Sequence, residues 1–275
     1  MPKPIVSVIV PTKNSALTLS DCLDSIKNQT YRNVELIVID NFSSDDTPDI
    51  AKKYTKKFYS KGPERSAQRN YGVNKSTGKY VVIIDSDMNL SPDVIQECVN
   101  VIESHQKLSG LIIPEESFGE GFWARCKRLE RSFYVGVPYM EAARFFKKND
   151  YITVGGYDEK MTSGEDWDLS QRINELGPFD HIDSYIYHNE GRISLWRSIK
   201  KKFYYAKKFA KYKKTNESTD NVAQQTNIIG RYRLFLSNPK KLFHNPLLGV
   251  GMLFMKTCEF GFGGTGYLMS KVQRK

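Results

Sequence analysis

Cysteines are few in this sequence, and they follow no pattern. Cys22, Cys98, Cys126 and Cys258 are scattered through 275 residues, and no two of them stand at Cys-x-x-Cys spacing. Structural zinc sites and disulfide frameworks depend on regular cysteine spacing. The scatter therefore argues against both and favours a reducing compartment.

A secretory leader and an uninterrupted membrane span are also lacking. Met1–Pro4 runs directly into a strand-like stretch, without the basic, apolar and small-residue regions of a secretory signal. The most apolar segment, Leu242 to Met269, is interrupted by Pro246, Lys256 and Glu259. It therefore falls short of the roughly 20 apolar residues that span a bilayer. We expect an intracellular protein in which this segment forms two short interfacial or re-entrant helices.

Acidic residues are scarce in the last third of the chain. Residues 191–275 contain 18 Lys and Arg but only Glu217, Asp220 and Glu259, whereas residues 1–190 carry a small negative net charge. A local field of one sign attracts partners of the opposite sign. No nucleic-acid-binding motif accompanies the basic residues, so nucleic acid is not an expected partner.

The basic region contains a predicted amphipathic helix from Ser194 to Lys214, followed by a polar stretch, Thr215 to Gln225, that is predicted to be a linker. At ~100° per residue the helix has two arcs. The apolar arc contains Leu195, Trp196, Ile199, Phe203, Ala206, Phe209 and Ala210, and the basic arc contains Arg197, Lys200, Lys201, Lys207, Lys208 and Lys211. Such a helix is typical of an anionic membrane interface. An ordinary surface helix that packs on the rest of the protein has the same pattern.

The first 115 residues alternate between strand and helix patterns. Continuous β-branched runs predict strands at Ile5–Val10, Val34–Asp40 and Tyr80–Asp85, and helical patterns between them occupy Leu17–Ile26, Asp46–Lys57 and Arg65–Lys75. This order predicts an α/β fold with a mostly parallel sheet and helices on both faces. Further elements are predicted at Phe58–Ser60, Pro92–His105, Leu111–Pro114, Phe122–Tyr134, Ala142–Phe146, Glu165–Leu176 and Ile182–Tyr187. In such sheets ligands bind at the carboxyl ends of the strands.

Two carboxylates lie at the end of the third predicted strand, in Asp85-Ser86-Asp87. Carboxylates so close together repel each other unless a cation is present. Oxygen ligands with open positions suit Mg²⁺ or Mn²⁺ that bridges to a diphosphate. The same spacing also occurs by chance at strand–turn junctions, so the motif alone leaves the question open.

The end of the second strand supports the functional interpretation. Asp40 ends this strand, and the following Asn41–Thr47 is rich in groups that form hydrogen bonds with a base or ribose. Ser44 or Asp45 is also suited to cap the next helix. Asp40 stands too early in the chain for that role.

In this order the motifs resemble the family 2 glycosyltransferases of the GT-A fold, over about residues 5–190. Pro11, Thr12 and Asn14 resemble the family's nucleotide-binding loop, with Lys13 where an aromatic residue is usual. Asp40 matches the residue that pairs with the base, and Arg69 matches an arginine near the nucleotide. The resemblance implies that Asp85, Ser86 and Asp87 bind the donor and that the two aspartates hold the Mn²⁺ or Mg²⁺ ion.

The resemblance also covers the acceptor side. Gly164–Arg172 is similar to the family's Glu-Asp signature, and His188 stands where many GT-A enzymes place a late metal-binding histidine. Asp166, at a helix start that favours a carboxylate, is predicted to be the general base for an acceptor hydroxyl. Glu165 and Trp167 are expected on the acceptor side. A single in-line displacement of the nucleotide would invert the anomeric configuration.

The predicted organisation is a GT-A catalytic domain at residues 1–190 and a basic helical region at 191–275. Within the first, residues 1–115 would bind a UDP- or GDP-sugar and residues 116–190 would bind the acceptor. The basic tail favours a peripheral or monotopic protein on the cytoplasmic side of the cell membrane with a lipid-linked acceptor. Two alternatives stay open: a non-catalytic nucleotide-sugar or membrane-binding protein, and a nucleotidyltransferase, which the absence of a glycine-rich loop after the first strand disfavours.

Overall fold

The computed structural model describes residues 2–215 and 220–272 and divides into two compact units. The sheet unit contains Met1–Pro114, Ala142–Lys160 and Glu165–Asn189, and the helical unit contains Glu115–Glu141, Met161–Gly164 and Glu190–Lys275. The strands are β1 (Val6–Thr12), β2 (Val34–Asp40), β3 (Phe58–Ser60), β4 (Tyr80–Ile83), β5 (Met88–Leu90), β6 (Gly110–Ile112), β7 (Glu115–Glu120), β8 (Phe145–Lys147), β9 (Phe179–His181) and β10 (Ile186–Arg192). The helices are α1 (Leu19–Lys27), α2 (Thr47–Tyr54), α3 (Arg65–Lys75), α4 (Val94–Ser104), α5 (Gly121–Ser132), α6 (Lys148–Thr153), α7 (Glu165–Asn174), α8 (Leu195–Thr215), α9 (Asp220–Thr226), α10 (Ile228–Leu236), α11 (Pro239–Leu242) and α12 (Pro246–Val272).

The sheet unit is built on a seven-stranded sheet in the order β3-β2-β1-β4-β8-β6-β9. The first four strands are parallel, β8 is antiparallel to both of its neighbours, and β9 is parallel to β6. This confirms the predicted α/β fold with a mostly parallel sheet. The antiparallel insertion of β8 was not predicted from the sequence.

Both faces of the central strands are buried, which explains their uninterrupted apolar runs. Val6, Val8 and Val10 of β1 belong to one hydrophobic cluster, while Ile9 belongs to the cluster on the other face. This division follows from the two-residue period of side chains along a strand. The parallel register pairs Thr12 with Asp40, so the polar strand ends lie at one edge of the sheet.

A separate antiparallel pair in the sheet unit contains β5 and β10, with Met88 opposite His188. The predicted strand at Ile182–Tyr187 was placed too early, since the strand begins at Ile186 and continues to Arg192. His188 therefore lies within a strand, not beyond its end. Pairing with β5, the three residues directly after Asp87, places this histidine beside the Asp85–Asp87 segment.

The helical unit has α12 as its longest helix, with 27 residues. The prediction of two short helices here was wrong, because the helix continues through its glycines, and Gly251 and Gly266 allow close packing. A Cβ atom on Gly251 would lie 2.4 Å from the Phe122 ring, and one on Gly266 would lie 2.5 Å from the Phe203 carbonyl oxygen. Within the described residues, no helix combines the length and the apolar character needed to cross a membrane.

The charged residues that interrupt the apolar segment are part of a buried ion cluster, which consists of Lys127, Glu130, Lys256 and Glu259. Lys256 Nζ lies 2.9 Å from Glu130 and 2.8 Å from Glu259, and Lys127 Nζ lies 2.8 Å from Glu130. Burial lowers the pKa of Lys256, but Glu130 and Glu259 outweigh it and hold this pKa above its ordinary value. Two positive and two negative charges therefore balance inside the unit and connect α5 to α12.

The predicted amphipathic helix corresponds to α8, and it packs along α12. Ile199 is buried, whereas Trp196 is 58% exposed at the edge of this contact. The predicted linker was wrong where it overlaps α9, because Ala223, Gln224 and Gln225 favour helix. The predicted arc residues beyond Ala206 (Lys207, Lys208, Phe209, Ala210 and Lys211) have side chains outside the described part of the structure.

Candidate active site

The loops after β1 and β2 are joined by hydrogen bonds at the carboxyl edge of the sheet. The buried Asp40 carboxylate accepts hydrogen bonds from the Thr12 hydroxyl at 2.8 Å and from the Ser43 amide at 2.8 Å. The side-chain oxygen of Asn14 accepts a hydrogen bond from the Ser44 amide at 2.9 Å. Three of the predicted donor-binding residues, Thr12, Asn14 and Asp40, therefore belong to one loop assembly. Pro11 is buried at the end of β1.

Two further residues stabilise this loop assembly. Lys13, which departs from the family pattern, donates hydrogen bonds to the Asn41 and Phe42 carbonyl oxygens. The buried amide of Gln68 on α3 donates to the carbonyl oxygens of Thr12 and Ile39, at 2.9 and 2.6 Å. Sequence reasoning missed Gln68. Its position three residues after Arg65, at a helix start, carried no signal of this role.

A cavity of about 390 Å³ opens beside the Asp40 loop. It is lined by Asn41, Phe42, Ser60, Lys61, Gly62 and Pro63. Phe42 is 67% exposed and adopts a positive φ of 51°. An exposed aromatic ring held in this strained conformation offers a flat apolar face next to hydrogen-bonding backbone.

Arg69 is the centre of a charged cluster that includes Asp85 and Asp166. One Nη atom lies 2.7 Å from Asp85 and the other lies 2.9 Å from Asp166, and the arginine is fully buried. Gly72, one turn later on α3, explains how the arginine reaches this position. A Cβ atom at Gly72 would lie 2.4 Å from Ile9, so glycine allows α3 to pack closely on the sheet.

The Asp166 carboxylate is held from two sides. Its Oδ1 atom accepts one hydrogen bond from Arg69 and a second from the Tyr157 hydroxyl at 3.0 Å. Tyr157 is itself fixed by Asn70, which exchanges hydrogen bonds with its backbone amide and carbonyl group. The Arg69 guanidinium lies 4.9 Å from the centre of the Tyr157 ring, in a cation–π contact.

The other residues of the predicted acceptor side lie on the first turn of α7. Glu165 is buried and forms an ion pair with Arg65 at 3.0 Å, and the sequence did not predict Arg65 as a site residue. Burial raises the pKa of Glu165, and the charge of Asp166 raises it further, against the attraction of the two arginines. Trp167 is partly exposed beside them.

Asp85 and Asp87 have different environments. Burial raises the pKa of Asp85, but Arg69 and Arg144 outweigh it and hold this pKa well below its ordinary value. Arg144 Nη1 lies 3.6 Å from Asp85, and the pairing of β8 with β4 brings it there. Ser86, between the aspartates, donates a hydrogen bond to Ser15. The guanidinium groups of Arg69 and Arg144 therefore favour the ionised form of Asp85.

Asp87 and His188 form the second pair. His188 Nε2 lies 3.2 Å from an Asp87 carboxylate oxygen, and 42% of the Asp87 side chain is exposed. Elsewhere in the described residues, as here, no three His, Cys, Asp or Glu side chains converge into a complete metal site. Asp87 and His188 are therefore two partly exposed groups of the kind that bind Mn²⁺ or Mg²⁺, and together they form only part of a coordination shell.

The chain belongs to glycosyl transferase family 2, whose family model matches residues 7–158, more than half of the sequence. Among curated relatives, the putative glycosyltransferase EpsH of Bacillus subtilis is 33% identical over 103 residues, which are 35% of this chain and 30% of EpsH. The chain spans less than a third of the length of the first curated relatives that it matches.

Solved structures share the same fold. The mannosyltransferase PcManGT from Pyrobaculum calidifontis, in complex with GDP-Man and Mn²⁺, aligns with a TM-score of 0.66 at 15% identity, over 97% of this chain and 87% of that protein. TarS 1–349 of S. aureus, in complex with UDP-GlcNAc, aligns with a TM-score of 0.52 at 16% identity, over 98% of this chain and 92% of that one. At these identities the likeness establishes the GT-A fold.

Proposed function

We propose that this protein transfers a sugar from a nucleotide-diphosphate sugar to an acceptor, with inversion and with the help of a divalent metal ion. The observation that carries the proposal is the Arg69 bridge between Asp85 and Asp166. The bridge connects Asp85, at the strand end that would bind the metal ion and the donor diphosphate, to Asp166, the carboxylate that would act on the acceptor. A transferase needs both groups in one site.

The donor is a UDP- or GDP-sugar in this proposal. Thr12, Asn14 and Asp40 hold the two loops that contact the nucleoside, and the cavity beside Phe42 offers a surface for the base. The structural relatives support both nucleotides, since TarS is in complex with UDP-GlcNAc and PcManGT with GDP-Man. In this proposal residues 1–115 are the donor half of a catalytic domain at 1–190 and residues 116–190 are the acceptor half. The compact units divide the chain differently, since Glu115–Glu141 and Met161–Gly164 belong to the helical unit.

Mn²⁺ or Mg²⁺ fits the ligand groups of this site. Asp87 and His188 supply a carboxylate and an imidazole 3.2 Å apart, and the donor diphosphate would supply further oxygen ligands. When bound, such an ion neutralises charge on the departing nucleotide. Asp85 is paired with Arg69 and Arg144, so its role is to orient this edge of the site or to bind the ion through water.

Asp166 is the proposed general base. Two hydrogen bonds hold Oδ1, and among the described residues none reaches Oδ2, which therefore accepts the proton of the acceptor hydroxyl as the hydroxyl attacks the anomeric carbon. Attack occurs opposite the leaving diphosphate, so a single displacement inverts the anomeric configuration. Glu165, held by Arg65, lies beside the base and orients the acceptor together with Trp167.

Donor binding should depend on the metal ion. We expect UDP- or GDP-sugars to raise the melting temperature of the protein with Mn²⁺ and to have little effect with a chelator present. Asp87→Asn should remove the metal-dependent part of the shift, because this position supplies a charged ligand. A panel in which no nucleotide sugar stabilises the protein with Mn²⁺ would contradict the proposed donor class.

Tyr157 should act as a positioning residue for Asp166. In Tyr157→Phe the ring is kept but one hydrogen bond to the carboxylate is lost, and we expect kcat to fall roughly tenfold, the value of one bond to a charged group. The donor KM should stay unchanged, because the donor loops do not contact this hydroxyl.

The matched control is Tyr151→Phe, which removes an equally buried hydroxyl that donates to Asn70 and does not contact Asp166. Steady-state kinetics of both variants provide the test. Equal losses of kcat in the two variants would mean that Tyr157 acts only through the stability of this region.

The acceptor is proposed to be carried on a lipid, such as a polyprenyl phosphate or a lipid-linked saccharide. The support for this is the concentration of positive charge in residues 191–275, which suits an anionic membrane surface. The protein would then act on the cytoplasmic side of the cell membrane, as a peripheral or monotopic enzyme.

A further inference from the structure

The helical unit exposes large apolar side chains on two of its helices, α10 and α12. On α12, Leu247 is 70% exposed, Val250 59% and Phe254 55%. On α10, Ile229 is 67% exposed and Leu236 55%. These five residues are named the apolar face below. The two helices are neighbours, since Tyr232 of α10 contacts Thr257 and Phe260 of α12. Single exposed apolar residues are common on proteins, but several on neighbouring helices are typical of a site of interaction.

On α12 the exposed residues form a continuous stripe, because residues spaced by three, four and seven positions share one side of a helix. Leu247, Val250 and Phe254 have this spacing. The opposite side contains Met252 and Met255, which are fully buried in the core of the helical unit. Helix α12 is therefore apolar on two sides. One side packs in the core of the helical unit, and the other side faces solvent.

The exposed charge near the apolar face is positive. Arg233 lies between Ile229 and Leu236 on α10, and Lys240 and Lys241 follow on α11. From residue 223 to residue 272 the sequence has a single acidic residue, Glu259, and that residue is buried and paired with Lys256. No exposed carboxylate in this stretch opposes the cations.

The exposed apolar side chains and the positive charge together favour one kind of binding partner for the apolar face. A second copy docked through the same face would bring two positive surfaces together, and a neutral apolar partner would leave the cations unpaired. The surface of a bilayer with anionic lipids satisfies both features, because acyl chains take up the apolar side chains and headgroup phosphates pair with Lys and Arg.

We propose that the apolar face enters the interface of an anionic membrane, with Arg233 and Lys240 against the lipid headgroups. This deepens the proposed membrane location and moves it away from the apolar arc of α8, where Ile199 is buried. Docking through α10 and α12 leaves the buried ion cluster inside the unit and requires no unfolding. The inference rests on the proposed membrane-surface function.

Vesicle sedimentation of the full chain tests the assignment. With vesicles of phosphatidylcholine and phosphatidylglycerol in equal parts, we expect the wild-type protein to sediment with the lipid at low salt. It should remain in the supernatant with phosphatidylcholine alone. The double variant Leu247→Asp/Phe254→Asp should lose at least roughly tenfold in partitioning, since two apolar contacts are replaced by charges. Lys240→Glu should lose severalfold and more at low than at high salt.

Matched controls come from the sheet unit, where Ile152 and Leu176 are exposed to a similar degree, 51% and 48%. Ile152→Asp/Leu176→Asp should bind the vesicles like the wild-type protein. The assignment is overturned by equal losses in the two double variants, by unchanged binding of Leu247→Asp/Phe254→Asp, or by a wild-type protein that ignores the anionic vesicles. Circular dichroism verifies that each variant is folded.

The nucleotide-sugar thermal shift separates this inference from the proposed function. If donor and Mn²⁺ raise the melting temperature but the protein does not bind the vesicles, the transferase assignment stands and the docking face is wrong. If the protein binds the vesicles through this face but no nucleotide sugar raises its melting temperature, the docking face stands and the donor assignment is wrong.

Discussion

Replacing Asp166 by Asn should reduce sugar transfer by about 10²–10⁴-fold, the usual contribution of a positioned general base. Asparagine retains an oxygen that can accept the hydrogen bonds of Arg69 and Tyr157, so the local geometry should persist. Donor binding should therefore survive, and the donor-induced thermal shift with Mn²⁺ should match that of the wild-type protein. Initial rates of nucleotide release with acceptor provide the measurement.

Glu165→Gln is the comparison variant, because Glu165 neighbours Asp166 on α7 and both carboxylates pair with Arg69. We expect a smaller loss of transfer, since Glu165 is buried against Arg65 and faces the acceptor only in part. If Glu165→Gln abolished transfer while Asp166→Asn retained it, the role of base would pass to Glu165. If Asp166→Asn lost donor binding, Asp166 would be a donor-binding residue.

Replacing Lys256 by Met should destabilise the protein by about 3–5 kcal/mol, the cost of breaking a buried ion pair by removing one partner. The substitution leaves Glu130 and Glu259 buried with Lys127 as their remaining partner among the four cluster residues. In a protein of this size such a loss lowers the melting temperature by on the order of 10 °C. Differential scanning calorimetry in the absence of ligand provides the measurement.

Lys200→Met is the control for this experiment, since it removes the same charge from an exposed position over the Trp196 ring. Its effect should stay within about 0.5 kcal/mol, as for most surface substitutions. Similar melting temperatures for the two variants would show that the buried cluster contributes little to stability. In that case the packing of α5 on α12 would rest on apolar contacts alone.

The central strands were predictable because the local sequence of each one favours a buried strand over any other element. β1, β2 and β4 are short β-branched runs buried on both faces, and such runs are typical of a parallel sheet. In contrast, β7 has the sequence Glu-Glu-Ser-Phe-Gly-Glu, and no local pattern indicates a strand. Its conformation depends on tertiary pairing, which overrides propensity at such segments.

The candidate site was predictable only where a motif fell at a strand end or a helix start. Asp85, Asp87 and Asp166 fall at such places, and the resemblance to the family supplied Arg69 and His188. Arg144 had no such signal, because its position beside Asp85 depends on the antiparallel insertion of β8 next to β4.

Tyr157 was missed for a related reason. The glycine pair Gly155-Gly156 is a sequence signal for a turn, and the two glycines do adopt positive φ values of 80° and 68°. A Cβ atom on Gly156 would lie 2.5 Å from the Asn70 side chain, so the glycine permits the clamp that directs Tyr157 to Asp166. The sequence indicates where the chain turns but not which distant side chain holds it.

The shared guanidinium of Arg69 also has a thermodynamic consequence. One buried cation serves two carboxylates, so the free energy of its pair with Asp166 depends on how strongly Asp85 holds it. In the proposed reaction, a metal ion bound with the donor diphosphate would attract the Asp85 carboxylate, weaken its pair with Arg69 and so strengthen the pair of Arg69 with Asp166. In this proposal the donor and acceptor sides of the site are coupled through the Arg69 side chain, and the coupling requires no movement of the backbone.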